Sequence, residues 1–198
     1  MELSRYLSER ERLIEAAVPG IDPARRLASL TDDLLAALAA SAAATLPART
    51  RWTLIALGGY GAGALLPASD LDLLIASDAP PATLKPFAEE LLYPLWDAGL
   101  SVGHQVRCRR DQLAAVRADT TTLTATLTGR VIAGDAKAGE RLLSDCARDA
   151  HRRRREVLAA LAERPRPGSP FLLEPDLKEG AGGRRDYDEL TWTAAVLS

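Results

Sequence analysis

The fold is decided by the stretch Leu57-Gly-Gly-Tyr-Gly-Ala-Gly-Ala-Leu-Leu-Pro-Ala-Ser-Asp-Leu-Asp-Leu-Leu-Ile75. It joins two apolar runs, Trp52 to Leu57 and Leu71 to Ala76, each of a length typical of a buried strand. The glycines at 58, 59, 61 and 63 allow the backbone between them to take positive φ and to approach a ligand closely. Successive backbone N–H groups in such a turn form an anion site. The stretch therefore predicts a strand, a phosphate-binding turn and a second strand.

Two acidic residues, Asp70 and Asp72, stand at the start of the second predicted strand. Because they are two positions apart, both side chains leave the same face of the strand. Like charges held together in a partly buried place are costly unless a cation compensates them. Magnesium prefers carboxylate and phosphate oxygens, and two ions about 4 Å apart hold a triphosphate for in-line displacement of pyrophosphate. We therefore predict nucleotidyl transfer with Asp70 and Asp72 as catalytic metal ligands, two Mg²⁺ ions as cofactor and Mn²⁺ as a substitute.

The triphosphate is expected to lie in a cradle formed by Gly58, Gly59, Gly61 and Ser69. A dinucleotide-binding fold is the main competing interpretation, because Gly59-x-Gly61-x-x-Ala64 satisfies its loose fingerprint. That fingerprint must open a helix of about a dozen residues inside a βαβ unit. Here Pro67 and the second predicted strand follow within a few residues, which leaves too little room for such a helix.

The rest of the chain alternates helical and extended patterns, which indicates an α+β fold with a small sheet and flanking helices. Asp22-Pro23 resembles a helix start, with an N-cap followed by proline, and predicts a helix to about Leu46. Further predicted elements are a helix over Leu84–Ala98, a third strand over Leu100–Arg107, helices over Asp111–Ala118, Thr121–Val131 and Ala136–Glu163, a linker over Pro165–Pro170 and a short helix ending at Ser198.

The predicted division is an N-terminal helical segment (1–50), a nucleotidyltransferase core (51–135) and a helical region (136–198) that begins a second, truncated domain. A net charge of −2 gives no indication of nucleic acid or a membrane as partner. Cys108 and Cys146 lie outside any zinc or disulfide spacing, and the N-terminus lacks the layout of a signal peptide. The apolar stretch Leu34–Leu46 is about half the length that crosses a bilayer. We expect a cytoplasmic protein.

Several motifs in a fixed order carry a resemblance to a known family. The chain resembles the nucleotidyltransferase domain of the bacterial uridylyltransferases that modify the PII proteins of nitrogen regulation. The motifs are Gly58-Gly-Tyr-Gly, Leu66-Pro-x-Ser-Asp-Leu-Asp-Leu-Leu, Tyr93-Pro-Leu-Trp-Asp-Ala-Gly-Leu, Val102-Gly-His-Gln-Val-Arg107, Gly129-Arg-Val-Ile-Ala-Gly-Asp135 and Leu173-Glu-Pro-Asp-Leu-Lys-Glu-Gly-x-Gly-Gly-x-Arg-Asp186.

The resemblance implies a polymerase-β-like nucleotidyltransferase fold with a small mixed sheet that carries the metal carboxylates. It also implies a nucleoside triphosphate donor, UTP or ATP, and a protein acceptor such as PII. Uridylyltransferases of this family also carry a phosphohydrolase domain and glutamine-sensing domains. We limit the expected activity to the transfer half-reaction.

The chain departs from the family pattern in two places. Where the family usually has arginine and glutamate after Gly-Tyr-Gly, this chain has Ala62 and Ala64. The third metal carboxylate of the fold is expected near Gly103, where the strand contains no acid; Asp119 and Glu174 are candidate substitutes. These departures motivate an alternative, a catalytically silent nucleotide-binding regulatory module.

Three further side chains have two interpretations each. Arg107, on the third predicted strand, either balances carboxylate or phosphate charge at the site or forms a structural ion pair. His104, on the same strand, is a candidate general base. Tyr60 either stacks on the base of the nucleotide or packs over the sheet.

The polar, glycine-rich segment Glu174–Asp186 carries Lys178, Arg184 and Arg185. One interpretation folds this segment over the active site, where Lys178 binds the nucleotide and the arginines contact the triphosphate or the acceptor. The other interpretation is a loop that docks the helical region onto the core.

Overall fold

A four-stranded mixed sheet forms the centre of the protein in a computed structural model that describes residues 2–16, 18–164 and 176–198. The strands lie in the order β3-β2-β1-β4. β1 pairs antiparallel with β2 and β4, and β2 pairs parallel with β3. The α+β class is therefore confirmed. The strands are β1 (Thr53–Ala56), β2 (Leu71–Ala76), β3 (Val102–Arg107) and β4 (Arg130–Gly134).

Helices surround this sheet. The described helices are α1 (Leu3–Glu15), α2 (Ile21–Ala42, continued by a 3-10 turn over Ala43–Thr45), α3 (Gly58–Gly61), α4 (Pro81–Asp97), α5 (Arg109–Ala118), α6 (Thr120–Leu127), α7 (Ala136–Arg152), α8 (Arg154–Ala162) and α9 (Arg184–Leu197).

The two faces of the sheet belong to two hydrophobic cores, because successive side chains of a strand point to opposite faces. On the first face, Leu73 and Ile75 of β2 pack in one cluster with residues of α2 and α4 such as Leu34 and Phe87. On the second face, Leu74 packs in another cluster with residues of α7 and α9. Asp72 has the same parity as Leu74 and belongs to the second face.

The predicted strands over Trp52–Leu57, Leu71–Ala76 and Leu100–Arg107 are confirmed, each to within two residues. The helix over Leu84–Ala98 is also confirmed, although Pro86 and Pro94 lie inside it. The predicted helix start at Asp22 is wrong: Gly20, with φ 114°, is the N-cap, and α2 begins at Ile21.

The predicted helix over Thr121–Val131 is wrong at its end, since α6 ends at Leu127 and β4 begins at Arg130. Gly129 lies at the turn between them, where a Cβ would stand 2.7 Å from Leu143 Cδ2 and 2.9 Å from the carbonyl oxygen of Thr126. The position therefore suits only glycine, and the residues that follow it pair with β1.

The predicted single helix over Ala136–Glu163 consists of α7 and α8, which are separated at Arg153 (φ −97°, ψ 17°). Arg153 forms ion pairs with Asp149 on one side of this break and with Glu156 on the other. The predicted linker over Pro165–Pro170 lies outside the described residues. Both cysteines are free thiols, and burial raises the pKa of Cys146 to about 11.

One of the described helical segments, Ile21–Thr45, is long and apolar enough to cross a membrane by length and composition alone. Core helices of water-soluble proteins meet the same criterion. In this structure Leu34, Leu35 and Ala39 of the segment are fully buried in the first hydrophobic core. The helical nature of the apolar stretch Leu34–Leu46 is thereby confirmed over most of its length.

Candidate active site

The glycine-rich turn forms α3, a single helical turn directly after β1. Gly58 and Gly63 have positive φ, at 58° and 76°, so the expectation of left-handed backbone holds at these two of the four glycines. The N–H of Gly61 is the first that bonds back into the turn, to the Leu57 carbonyl at 2.9 Å. The N–H groups of Gly58, Gly59 and Tyr60 precede it and have no acceptor in the turn itself.

Gly61 serves a different purpose from the other glycines of the turn. It is buried, and a Cβ at this position would lie 2.6 Å from the Thr128 carbonyl oxygen and 2.8 Å from that of Ala56. Because no side chain fits there, Gly61 allows α3 to pack closely on the sheet. Its N–H is already bonded to the Leu57 carbonyl. Its predicted contact with a phosphate stays a prediction.

A partly buried polar network holds the turn in place. The Tyr60 hydroxyl donates to Asp32 Oδ1 at 2.6 Å, and Arg130 of β4 donates to the same carboxylate at 2.5 and 3.1 Å. The Arg130 guanidinium also lies 5.6 Å from the centre of the Tyr60 ring. Burial and the hydrogen bond to Asp32 raise the pKa of Tyr60. Of the two interpretations of Tyr60, packing is the one its position supports, since its side chain is buried.

Asp72 lies between two glycines. A Cβ built on Gly58 would stand 3.4 Å from Asp72 Oδ2, and one built on Gly103 would stand 2.9 Å from Asp72 Oδ1. Gly103 is the residue of β3 directly beside Asp72 in the parallel register. The two glycines therefore leave the room that the Asp72 carboxylate occupies.

The two predicted metal ligands lie close enough to interact. The pKa of Asp72 is raised, first by partial burial and then by the negative charge of Asp70, while the positive charge of Lys178 opposes the rise. Asp70 precedes β2 by one residue and is exposed. A divalent cation between the two carboxylates would remove their repulsion and favour their ionised forms.

The oxygen donors on this face suit a hard cation such as Mg²⁺. Besides the two carboxylates, Gln105 lies on the same face as Gly103, two residues further along β3. Its Oε1 is buried and lacks a hydrogen-bond partner among the described residues. This amide oxygen was not singled out from the sequence, where a lone glutamine gives no signal.

A third acidic ligand is not found in the part of the chain that the structure describes. No group of three or more His, Cys, Asp or Glu side chains there is arranged to hold a metal. Asp119 caps α6 instead: it accepts the N–H groups of Thr121 and Thr122 and the Thr122 hydroxyl, and this last bond contributes most to its lowered pKa. The other candidate, Glu174, lies outside the described residues.

The segment before α9 reaches the glycine turn. Asp176 Oδ1 accepts the N–H groups of Lys178 and Glu179 at 2.8 and 2.9 Å, which forms a compact turn and places Lys178 within electrostatic reach of Asp72. A Cβ on Gly59 would lie 3.2 Å from Arg184 Nη2. The geometry favours the interpretation in which this segment folds over the site, although Arg184 belongs to α9 and not to a loop.

Two predicted candidates lie away from the carboxylates. Arg107 pairs with Ala76 at the far end of β2, four residues from Gly103 and thus roughly 13 Å along the strand. It donates instead to Gln112 at 2.9 Å. The structure does not bring it to Asp72, because the parallel register of β3 places Gly103 there instead.

His104 is the second of these candidates. It lies on the opposite face of the sheet from Gly103, with its ring 5.7 Å from that of Trp96, which argues against a general-base role beside Asp72. Ser69 stays next to Asp70 at the exposed end of a turn, where its N–H donates to the Leu66 carbonyl at 3.0 Å.

Comparisons with known proteins agree on one family. Residues 149–198 match the family described as GlnD PII-uridylyltransferase. The bifunctional uridylyltransferase/uridylyl-removing enzyme of Streptomyces coelicolor is 39% identical over 198 aligned positions, which cover 96% of this chain and 23% of that enzyme. The enzymes of the same name from Gluconobacter oxydans and Phenylobacterium zucineum are 38% and 37% identical over 92% and 95% of this chain. The chain spans about a fifth of the length of these relatives.

Proposed function

Because the chain belongs to the PII-uridylyltransferase family, we propose that it carries a metal-dependent nucleotidyltransferase site of polymerase-β-like fold. The site transfers a nucleoside monophosphate, UMP from UTP or AMP from ATP, to a cytoplasmic protein acceptor such as PII and releases pyrophosphate. Membranes and nucleic acids are not among the proposed partners. The supporting observation is the Asp72 carboxylate, which lies between Gly58 and Gly103 and within electrostatic reach of Asp70.

In the proposed mechanism the two carboxylates bind cations. Asp70 and Asp72 would hold the Mg²⁺ ions, and these ions would supply positive charge to the α-phosphate and to the attacking hydroxyl. The raised pKa of Asp72, caused first by burial and then by the charge of Asp70, supports a cation as the partner of these carboxylates.

The other residues of the site position the triphosphate. Gly58 and Gly59 offer a backbone surface without side chains, on which the triphosphate lies, and the network of Tyr60, Asp32 and Arg130 holds that surface rigid. An acceptor hydroxyl oxygen then bonds to the α-phosphorus, and the bond from this phosphorus to the oxygen bridging to the β-phosphate breaks. The hydroxyl proton leaves to solvent and pyrophosphate departs with the electron pair.

The direct test incubates the protein with PII, Mg²⁺ and either UTP or ATP, and measures the mass of PII. A UMP or AMP increment identifies the nucleotide and the acceptor together. Asp72→Asn, which keeps the shape and removes the charge, is expected to abolish the increment, whereas Asp97→Asn, at an exposed position on α4, should leave it unchanged. Transfer by the Asp72→Asn protein at the wild-type rate would reject the proposed role of this carboxylate.

A catalytically silent nucleotide-binding module is the second candidate function. It is favoured by Gly103, which stands in the register beside Asp72 where a third carboxylate was expected, and by Ala62 and Ala64 in the turn. Magnesium-dependent binding of UTP without pyrophosphate release, across a panel of protein acceptors, would support this candidate. Steady pyrophosphate release would exclude it.

A further inference from the structure

We propose that Arg184, the first residue of α9, binds the distal phosphates of the nucleotide and stabilises the departing pyrophosphate. This inference rests on the proposed function and adds a residue to its site. The segment that precedes Arg184 and the helix that follows it place its guanidinium group against the glycine turn. Four observations on the position, availability, rigidity and role of this side chain support the assignment.

The first observation is its position. A Cβ on Gly59 would lie 3.2 Å from Arg184 Nη2 and 3.9 Å from its Cζ, so the guanidinium lies against bare backbone. The preceding residue, Gly58, faces the Asp72 carboxylate in the same way. Because consecutive Cα atoms are only about 3.8 Å apart, carboxylate and guanidinium flank adjacent positions of one surface, within the span of a triphosphate.

The second observation is the availability of its donors. Among the described residues, the ion pair of Arg184 is with Asp188, at 3.7 Å from Nε to Oδ1, which is longer than a hydrogen bond. That contact leaves the terminal Nη groups directed at Gly59. Guanidinium groups present a planar fork that matches two phosphate oxygens.

The neighbouring arginine, Arg185, has its donors engaged by other side chains. Arg185 donates to Glu179 at 2.6 and 3.2 Å, and its guanidinium lies 5.5 Å from the centre of the Trp192 ring. Arg185 therefore anchors the helix, whereas Arg184 faces the site.

The third observation is the rigidity of α9. Trp192 and Val196 are buried in the second hydrophobic core, and the Val196 carbonyl lies 3.0 Å from His151 Nδ1. At the other end of the helix, Asp186 Oδ2 accepts the N–H of Gly182 at 2.7 Å. A side chain on such a fixed element binds a ligand without the cost of ordering a loop.

The fourth observation separates the role of Arg184 from that of Lys178. Lys178 is near enough to Asp72 to lower its pKa, so we assign Lys178 to the metal ligands and the α-phosphate. Arg184 lies one residue further along the turn, over Gly59. It therefore meets the leaving pyrophosphate, whose negative charge grows as the bond to the α-phosphorus breaks.

The test measures, by isothermal titration calorimetry with Mg²⁺, the affinities of the full chain for UTP, pyrophosphate and UMP. We expect Arg184→Gln to weaken UTP and pyrophosphate binding by about tenfold or more, the effect of losing a charge-assisted hydrogen bond, and to change UMP binding by less than about twofold. Arg184→Lys should recover part of the loss. Arg155→Gln, which removes an exposed arginine of α8, is the control for charge and should bind like the wild type.

Three outcomes of these measurements would overturn the assignment of Arg184. If Arg184→Gln binds UTP and pyrophosphate as tightly as the wild type, the inference is overturned while the proposed function stands. If the wild type binds neither ligand, the proposed function falls and the inference with it. Asp188→Asn removes the contacts of Asp188 with Arg184 and Arg185 and keeps both arginines. A loss of affinity as large as that of Arg184→Gln would show that binding depends on these helix contacts, and would also overturn the inference.

Discussion

The hydroxyl of Tyr60 donates a 2.6 Å hydrogen bond to Asp32, and this bond connects the glycine turn to α2. The same carboxylate accepts two hydrogen bonds from Arg130 of β4, so one aspartate ties together a helix, the turn and an outer strand. Since the turn lies directly beside Asp72, the network fixes the surface on which a phosphate would rest.

Tyr60→Phe is expected to destabilise the protein. The change removes the hydroxyl and its bond to Asp32 Oδ1, which then accepts only the longer 3.1 Å bond from Arg130. We expect a cost of about 1 kcal/mol in the free energy of unfolding. Urea denaturation followed by circular dichroism measures this difference. Tyr187→Phe, at a side chain that is 70% exposed, is the matched control. A Tyr60→Phe protein as stable as the control would show that the bond contributes nothing.

Magnesium is expected to stabilise the wild type and not Asp72→Asn. In the absence of metal the pKa of Asp72 is raised in the folded state. Protonated Asp72 therefore stabilises the folded protein at low pH, and this stabilisation is lost as pH rises through the folded-state pKa. At neutral pH the neutral asparagine should therefore make the metal-free protein slightly more stable.

The added metal reverses this order. A magnesium concentration ten times its Kd raises the free energy of unfolding by about 1.4 kcal/mol in a protein that binds it. Thermal unfolding of both proteins with and without Mg²⁺ measures the effect, and calcium serves as a comparison ion. An equal magnesium shift in the two proteins would place the cation elsewhere.

Local sequence patterns were sufficient to predict β1, β2 and β3, because short apolar runs bounded by glycine or charged residues are typical of buried strands. They were insufficient for β4: the threonine-rich run before it continues a helical pattern, and only Gly129 marks the break. The network of Asp32, Tyr60 and Arg130 joins residues 28 and 98 positions apart, and no local pattern connects them. The resemblance placed the neighbour of Asp72 near Gly103, which the register of β3 bears out. It did not show that Arg107 lies at the far end of that strand.

Acid is expected to weaken the packing of α7 against α5. Hydrogen bonds from Arg117, at 2.5 to 3.2 Å, and the nearby Arg153 lower the pKa of Asp149, whose side chain is 9% exposed. A lowered folded-state pKa means that the stabilisation is complete above the unfolded pKa, about 4, and is lost as pH falls through the folded value.

Unfolding free energies measured between pH 2 and pH 7 should show this loss. The wild type is expected to lose about 1 to 2 kcal/mol more than Asp149→Asn below about pH 4. Parallel curves for the two proteins over that range would contradict the prediction.

Gly103→Ala is expected to impair the site without unfolding the protein. The new methyl group would stand 2.9 Å from Asp72 Oδ1, and the carboxylate, as the end of a side chain, can rotate away at little cost in stability. Displacement of a catalytic group by about 1 Å can cost roughly 100-fold in rate. We therefore expect a large loss of Mg²⁺-dependent nucleotidyl transfer with an almost unchanged melting temperature.

Ser101→Ala, two positions earlier and exposed, is the control and should retain both the activity and the melting temperature of the wild type. If Gly103→Ala kept full activity, the carboxylate would not need the space between the glycines, and the proposed metal site at Asp72 would lose its structural basis.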